Sequence, residues 1–301
     1  MRIIILGASG LIGRQLRADA KRAGHDVIGT YLTQPGSDLR RFDLTRDFLY
    51  EAVPDFGHDD AVFLLSAQID PNWVFRNPEA SQAINVDATC RLIDEANDAG
   101  AKLFFLSSEM VFDGRSDEGY TEDDAPVPLT LYGRQKVEVE DYLRARAGDW
   151  CVVRTGWTIS PEANPRCPIE STYAALLNGT ARLATDNLFT LTEVRDLSQA
   201  LIRLFEDDHR GLFHVAANPP VVRANLGRWI ADASTLGKHM AFEKTDFASL
   251  PFTEPRPAKS WLRSEKYVAA TGHQLQSPWI TVANKVAMID AKMMQSQAIP
   301  A

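Results

Sequence analysis

The sequence predicts an α/β fold, a doubly wound parallel sheet with a smaller C-terminal lobe. Three observations predict it. Short apolar runs alternate with helical periodicity over the first half of the chain. A cluster of glycines separates the first apolar run from the first helical stretch. The 301 residues, 45% of them hydrophobic, suffice for one large core or for a large core with a smaller companion.

Arg2–Leu6 reads as a buried strand, Leu11–Ala23 as a helix and Asp26–Tyr31 as a second strand. Ala61–Ala67 is a third apolar run. Glu79–Ala99 repeats apolar residues at helical spacing (Ala83, Ile84, Val86, Leu92, Ile93, Ala96) and stops at Gly100. Lys102–Ser107 is the next strand, a helix begins near Tyr132, and Trp150–Thr155 is the strand after it. This alternation implies a parallel sheet with helices on both faces and right-handed crossovers. Beyond Thr155 the pattern loosens. Ser160–Ser171, with three prolines, reads as a long loop. Leu197–Glu206 reads as a helix, with Asp196 and Gln199 at capping-box spacing, and Leu212–Val215 as a short strand. From Pro219 onward come helical pieces and proline-rich turns, including Pro251 and Glu254-Pro255-Arg256-Pro257. Residues 1–155, completed by about 190–215, are expected to form the sheet domain, and 156–190 with 216–301 the smaller lobe. There is no internal repeat, and Met293–Ala301 reads as a frayed end.

Composition excludes several classes of partner. The net charge is −8 and both signs are dispersed, with no basic stripe for nucleic acid or an anionic membrane. No apolar run approaches the roughly 18 residues of a membrane span. The opening MRIIILGASG turns to glycine after four apolar residues, too soon for a secretory leader. Cys90, Cys151 and Cys167 are odd in number, widely spaced and without a CxxC pair. That suits free thiols in a reducing cytoplasm, and no cluster suggests a metal. A homodimer is compatible with these features.

The glycines are the first chemical signal. Ile3-Ile4-Ile5-Leu6 runs into Gly7-Ala8-Ser9-Gly10-Leu11-Ile12-Gly13, spaced G-x-x-G-x-x-G between a strand and a helix. That context suits a dinucleotide-binding (Rossmann) turn, in which the backbone bends tightly and approaches a pyrophosphate with no Cβ in the way. Free N–H groups and the positive end of the helix dipole then meet the phosphates. The plainer alternative is a βα turn that only packs helix on strand. Gly7, Ser9, Gly10, Leu11, Ile12, Gly13 and Arg14 are the expected cofactor contacts, with Tyr31 at the end of the second strand. The acid that would hold the ribose 2′-hydroxyl of NAD(H) is missing there, since Asp26 lies at the wrong end. Arg14 follows the third glycine, and Arg40 and Arg41 fall in the next loop. This favours NADP(H), with NAD(H) as the alternative cofactor; each arginine also has a plain reading as surface.

The second signal is Tyr132-Gly133-Arg134-Gln135-Lys136. Four residues apart on a helix put tyrosine and lysine on one face, and Val139 and Leu143 continue the stripe. A lysine on an apolar stripe is costly unless its charge is used. One use is to lower the tyrosine pKa so that the phenol can protonate a carbonyl oxygen as hydride reaches the carbon. The alternative is a surface helix with a snorkelling lysine. About 24 residues earlier, Lys102–Leu106 ends in Ser107-Ser108-Glu109, at the strand end where α/β sheets bind ligands. Ser108 there can bond a reacting carbonyl or act only as a cap.

Together these residues resemble the extended short-chain dehydrogenase/reductase family, and within it most of all the dTDP-4-dehydrorhamnose reductases. The resemblance runs over nearly the whole chain. It takes in GASGLIG, Asp43-Leu44, Ser66-Ala67-Gln68, Asn85, SSEMVFDG (107–114), YTEDDAPVPLTLYGRQK, VVRTGW (152–157), GLFHVA (211–216), Arg256-Pro257, Ser260-Trp261-Leu262 and Lys266. It implies a triad of Ser108, Tyr132 and Lys136, with serine where these reductases usually carry threonine. It places Asp43 and Leu44 by the adenine, and adds Ser66, Ala67 and Gln68 to the cofactor site, where Tyr132 and Lys136 also belong. It implies a nucleotide-linked sugar as the small-molecule substrate, bordered by Glu109, Met110, Trp157 and Arg256. Trp157 can stack on a base or sugar or anchor its loop as a core residue.

The chain departs from the family in two places. Met110 replaces a common tyrosine. Thr158–Ser171 lacks the usual Asn-Phe pair and carries Pro161, Pro165, Cys167 and Pro168. Two other readings stay open. Epimerisation is one; dehydration is disfavoured, because the Asp-Glu pair of the related dehydratases is Glu109-Met110 here. The other is a non-catalytic regulatory protein, since the methionine adenosyltransferase beta subunit resembles the same subfamily and its glycine turn also ends in Gly-Arg.

Overall fold

The structure, a computed structural model, describes residues 2–146, 148–164 and 166–297. Seven parallel strands form the main sheet: β1 (Arg2–Leu6), β2 (Asp26–Tyr31), β3 (Leu39–Arg41), β4 (Asp60–Leu64), β5 (Lys102–Ser108), β6 (Trp150–Thr155) and β7 (Gly211–His214). Their spatial order is β7-β6-β5-β4-β1-β2-β3. The chain therefore builds outward from β1 in one direction and then, from β4, in the other. The carboxyl ends of β1 and β4 flank the switch point, where open sheets of this kind bind ligands.

Alternation explains why β1 is apolar throughout. Ile3 and Ile5 enter one core with Phe63, Phe104 and Val153, while Ile4 and Leu6 enter the other with Val62, Leu103 and Phe105. Helices close both faces. On the first, α1 (Leu11–Arg22) contributes Leu16. On the second, α2 (Ala88–Asp98) contributes Ile93, and α3 (Leu131–Ala145) contributes Val139 and Leu143. A third apolar cluster lies apart from the sheet. It joins α4 (Pro168–Leu177), through Ile169 and Tyr173, to residues further along the chain. The helix α5 (Val194–Glu206) returns to the first core with Leu201 and Phe205. The third cluster is completed by α6 (Arg223–Ala233) and α7 (Pro278–Gln297), through Leu226, Ile230, Val282 and Val286. Three two-stranded ribbons border it: Trp157–Ile159 with Leu191–Glu193, Leu188–Phe189 with Val221–Val222, and Arg182–Ala184 with Glu243–Thr245.

Several expected elements differ in detail. The helix expected over Glu79–Ala99 is interrupted by a π-helical turn, Ala83–Asp87, between Pro78–Gln82 and α2. Arg40 and Arg41 are not in a loop but on the edge strand β3, where Arg40 donates to the Ala52 carbonyl. The loop expected over Ser160–Ser171 ends early, because Pro168 opens α4; proline suits the first helical turn, where its missing N–H costs nothing. Pro165 lies outside the described residues. The cap of α5 is Glu193, whose carboxylate accepts from the Arg195 and Asp196 amides, so the Asp196–Gln199 box does not form. The chain end expected to fray is helical through Gln297; residues 298–301 lie outside the described part. All three cysteines are free. No described helix is long and apolar enough to cross a membrane.

Candidate active site

The glycine turn leaves β1 at its carboxyl end. Each glycine is required for its own reason. Gly7 has φ +93°, a conformation L side chains rarely adopt, and a Cβ there would crowd Ser66 just after β4. At Gly13 a Cβ would collide with the Gly7 carbonyl, so this glycine lets α1 pack against the turn. A Cβ on Gly10 would meet only the Gly7 carbonyl, at 3.2 Å, and Gly10 is itself exposed. Gly10 is also the N-cap of α1 and offers no side-chain cap. The Leu11, Ile12 and Gly13 amides beyond it find no acceptor among the described residues. An open cradle with unspent N–H groups at a helix start fits the pyrophosphate of a dinucleotide.

The rest of the expected cofactor wall surrounds this turn unevenly. Thr30, near the end of β2, accepts from the Gly7 amide at 3.2 Å, and Tyr31 follows it, half-buried. Asp43 is already engaged, accepting from the Thr45 amide and hydroxyl at 3.1 and 2.7 Å, and the Thr45 bond holds its carboxyl below the usual range. Leu44 sits in the second core, and its carbonyl accepts from Arg91 at 2.6 Å. Arg14 is not free at the cofactor site: it bonds the Ser9 carbonyl at 3.1 Å and pairs with Glu162 at 2.5 Å.

The segment Ser66-Ala67-Gln68 is pinned from behind. Asn85, in the π turn, accepts from the Gln68 amide at 2.8 Å and donates to the Gln68 carbonyl at 3.0 Å. It also donates to Gln135 at 2.8 Å, and Gln135 donates to Ser81 at 2.8 Å. Gln135 lies between Tyr132 and Lys136 on α3, so one buried chain of hydrogen bonds fixes both the 66–68 segment and the helix that carries the expected catalytic pair.

Tyr132 and Lys136 share the buried face of α3, with Glu140 below them. Thr130 caps that helix through the Gly133 amide at 3.0 Å, and Glu254 accepts from the Leu131 amide at 3.0 Å. Gly133 is a glycine because a Cβ there would strike the Met110 carbonyl. Met110 in turn donates from its amide to the Ser108 hydroxyl at 3.2 Å, fixing that side chain at the end of β5. The Lys136 ammonium donates to the Leu106 carbonyl at 2.9 Å and lies 4.6 Å over the Phe105 ring. Burial pulls it down to about 8, with Glu140 opposing.

One expectation is reversed here. Lysine was expected to lower the Tyr132 pKa. Burial instead pushes the phenol above its ordinary value, and only a hydrogen bond from Ser108 opposes the rise. The Lys136 ammonium is spent on a carbonyl and stands 5.7 Å from the centre of the tyrosine ring.

Glu109 directly follows Ser108. Its carboxylate is buried, accepts from the Thr190 hydroxyl at 2.7 Å and is pushed up to about 7 by burial. Gly156 makes room for it, since a Cβ there would collide with both Thr190 and Glu109. Thr155, paired with Ser108 across β5 and β6, has a buried hydroxyl with no partner among the described residues. Trp157 is 41% exposed on its ribbon, so it is not a core anchor. Arg256 donates to Asn72 at 2.7 Å. Thr190, Gln135, Glu254 and Arg223 carried no readable motif, and only their contacts across the chain reveal them.

Residues 1–289 match the family model of the RmlD substrate binding domain. Three relatives are similar over most of their length. A probable low-salt glycan biosynthesis reductase Agl14 of Haloferax volcanii is 28% identical, covering 87% of this chain and 89% of its own. The methionine adenosyltransferase 2 subunit beta of Pongo abelii is 26% identical (86% and 79%). A dTDP-4-dehydrorhamnose reductase of Sinorhizobium fredii is 25% identical (91% and 93%). Among solved structures, a dTDP-4-dehydrorhamnose reductase of Bacillus anthracis in complex with NADP superposes with a TM-score of 0.78 at 20% identity, covering 93% of this chain and 96% of that one. MoeE5 in complex with UDP-glucose and NAD superposes with a TM-score of 0.78 at 21% identity, covering 97% and 100%. These likenesses in structure speak for the fold.

Proposed function

The chain belongs to the RmlD substrate binding domain family, among the extended short-chain dehydrogenases/reductases, and we propose that it reduces a keto group on a nucleotide-linked sugar. It is read as an enzyme that prefers NADP(H) to NAD(H), with residues 156–190 and 216–301 as its substrate lobe. The single observation carrying this is the site at the ends of β5 and α3. Tyr132 is buried beside Ser108, burial pushes its phenol above the ordinary value with Ser108 opposing, and the Lys136 charge stands one helical turn away.

The glycine turn, Tyr31, Asp43, Leu44 and Ser66-Ala67-Gln68 would hold the dinucleotide, which supplies a hydride when bound. What the chain itself does is move a proton. Burial keeps the Tyr132 phenol protonated near neutral pH, the state a donor to a carbonyl oxygen must have. Ser108 bonds the same oxygen and orients it. The phenolate left behind is a new buried negative charge, and Lys136 is the cation positioned to stabilise it. The carbonyl that holds Lys136 fixes where this stabilisation acts.

The direct test is turnover against a panel of nucleotide-linked ketosugars with NADPH and with NADH. Reduction that is faster with NADPH supports the reading. One observation favours a second reading: the similarity to the methionine adenosyltransferase subunit beta. Normal NADPH binding without turnover on any ketosugar, together with association with a partner enzyme, would make the chain regulatory instead.

A further inference from the structure

Arg223 is the first residue of α6. Its backbone amide donates to the Asn187 carbonyl at 3.0 Å, and its guanidinium lies 4.4 Å over the Phe189 ring. Among the described residues no acceptor takes a hydrogen bond from that guanidinium. The contrast with Arg154 is informative. Arg154 is fully buried, and Glu140 meets it with two bonds, at 2.9 and 2.6 Å.

An arginine placed this way is costly in three respects. Its donors are half-buried and unspent, and burial pulls the group down to about 10. It adds positive charge to the first turn of a helix, where the dipole is already positive. Among the described residues its countercharge is Glu109, which makes no ion pair with it, is committed to Thr190 and is pushed up to about 7 by burial. The position is nonetheless rigid. Val221–Val222 pairs with Leu188–Phe189, and Asn187 and Leu188 are both tied to the Ala258 carbonyl, at 2.7 and 2.8 Å. A rigidly held, unspent planar fork is suited to bidentate recognition of a phosphate. Glu109 directly follows Ser108 in sequence and accepts from Thr190, the neighbour of the Phe189 over whose ring Arg223 lies, so one short run of residues places Arg223 beside the reacting groups.

We propose that Arg223 is the diphosphate-recognising residue of the substrate site, gripping the phosphates of the nucleotide-linked sugar while Ser108 and Tyr132 hold the carbonyl. The inference rests on the nucleotide-sugar reading above. A bound phosphate supplies the acceptors the guanidinium lacks and offsets both positive charges.

The test uses protein saturated with NADP+, so that the cofactor's own pyrophosphate site is filled. Wild type and Arg223→Leu are titrated calorimetrically with dTDP, UDP, thymidine and inorganic pyrophosphate. The expected result is dTDP or UDP binding that Arg223→Leu weakens by about tenfold or more, with a parallel loss for pyrophosphate. Affinities for thymidine and NADP+ should not change. If Arg223→Leu loses NADP+ binding and so reports damage to the fold, Arg223→Gln replaces it under the same expectations. Unchanged nucleoside diphosphate and pyrophosphate binding in the variant overturns the assignment and leaves the nucleotide-sugar reading standing. Pyrophosphate binding that depends on Arg223, without binding of either nucleoside diphosphate, keeps the anion site and removes the nucleotide-sugar reading. Wild type that binds none of the phosphates removes both.

Discussion

The two walls of the proposed site, one read as binding the cofactor and the other the substrate, are built from different materials. The cofactor wall is backbone: Gly7 to Gly13 is one short stretch whose shape depends on missing side chains. The substrate wall is side chains from distant parts of the chain. Glu109 meets Thr190, Asn72 meets Thr253 and Arg256, Glu254 meets Leu131, and Arg223 stands over Phe189. A wall made of absent Cβ atoms tolerates almost no change, whereas a wall of side chains can be altered one group at a time. The first suits a cofactor part shared by many relatives. The second suits a substrate part that differs among them. Tyr132 and Lys136 lie between the walls, on a helix tied to both through Gln135 and Glu254.

The largest effect should come from that junction. Tyr132→Phe keeps the ring in place and removes only the proton donor. Turnover should fall about 10²–10⁴-fold while NADPH affinity and melting temperature stay near wild type. Near-full activity in this variant would show that the proton comes from elsewhere.

The backbone wall can be dissected with two glycines. At Gly13 an added Cβ collides with the Gly7 carbonyl, so Gly13→Val should cost about 1–3 kcal/mol or more of stability through overpacking. At Gly10 the Cβ meets a single atom, the Gly7 carbonyl at 3.2 Å, which must give slightly, and would otherwise occupy the cradle. Gly10→Val should therefore keep most of the stability and lose cofactor affinity by about tenfold or more. Melting curves and NADPH titrations of both variants check this. Equal losses of stability in the two would erase the distinction between packing glycine and ligand glycine.

The same contrast governs how much could be read from sequence. The cofactor wall and the Tyr132–Lys136 pair were legible because each is local: a strand, a turn and a helix in succession, or two residues one helical turn apart. β1, β2 and β6 fall at the residues that the sequence pattern marks, and β1, buried on both faces, is apolar without interruption after Arg2. The illegible features are those set by tertiary contact. Asp196 with Gln199 has cap spacing, but Glu193 reaches the free amides of α5 first. Arg40 looks available for a 2′-phosphate until its strand pairing brings it to Ala52. Arg14 is committed to Glu162, although both are well exposed and such a pair is worth only about 0–1 kcal/mol, so an incoming anion can displace it. The rise in the Tyr132 pKa follows from burial that no local pattern encodes.

A pH profile sharpens the role of the junction. Lys136 is pulled down from 10.5 to about 8. It is charged below that value and neutral above it, so turnover should decline above pH 8 by about tenfold per unit if the charge is needed. The effect on stability has the opposite sign. Between about 8 and 10.5 the unfolded chain keeps this proton and the folded chain has released it, so this group favours folding more as pH rises. Activity should therefore be lost on the basic side without unfolding from this group. Tyr132, raised by burial, stays protonated across this window and is not the source of the limb. Turnover that is flat to pH 9.5 would remove the need for the lysine charge.

The smallest effect is expected on the side-chain wall, at Trp157. This residue begins a ribbon that pairs with Leu191–Glu193, and its backbone amide donates to the Thr190 carbonyl at 3.1 Å. Those bonds are backbone bonds and survive a change of side chain. The indole itself is 41% exposed, so truncating it leaves no buried cavity. Trp157→Ala should therefore lower the melting temperature only slightly. If the ring stacks on a base or sugar, losing it removes an aromatic contact worth about 0.5–1.5 kcal/mol, which corresponds to a rise in KM of roughly two- to tenfold. Because the ring is remote from proton transfer in this reading, kcat should be nearly unchanged. Measuring KM, kcat and melting temperature on one preparation separates the cases. A sharp fall in stability with KM unchanged would return Trp157 to a packing role. A fall in kcat without a change in KM would mean that the side-chain wall takes part in the chemical step, and that the division between the two walls is less complete than their construction implies.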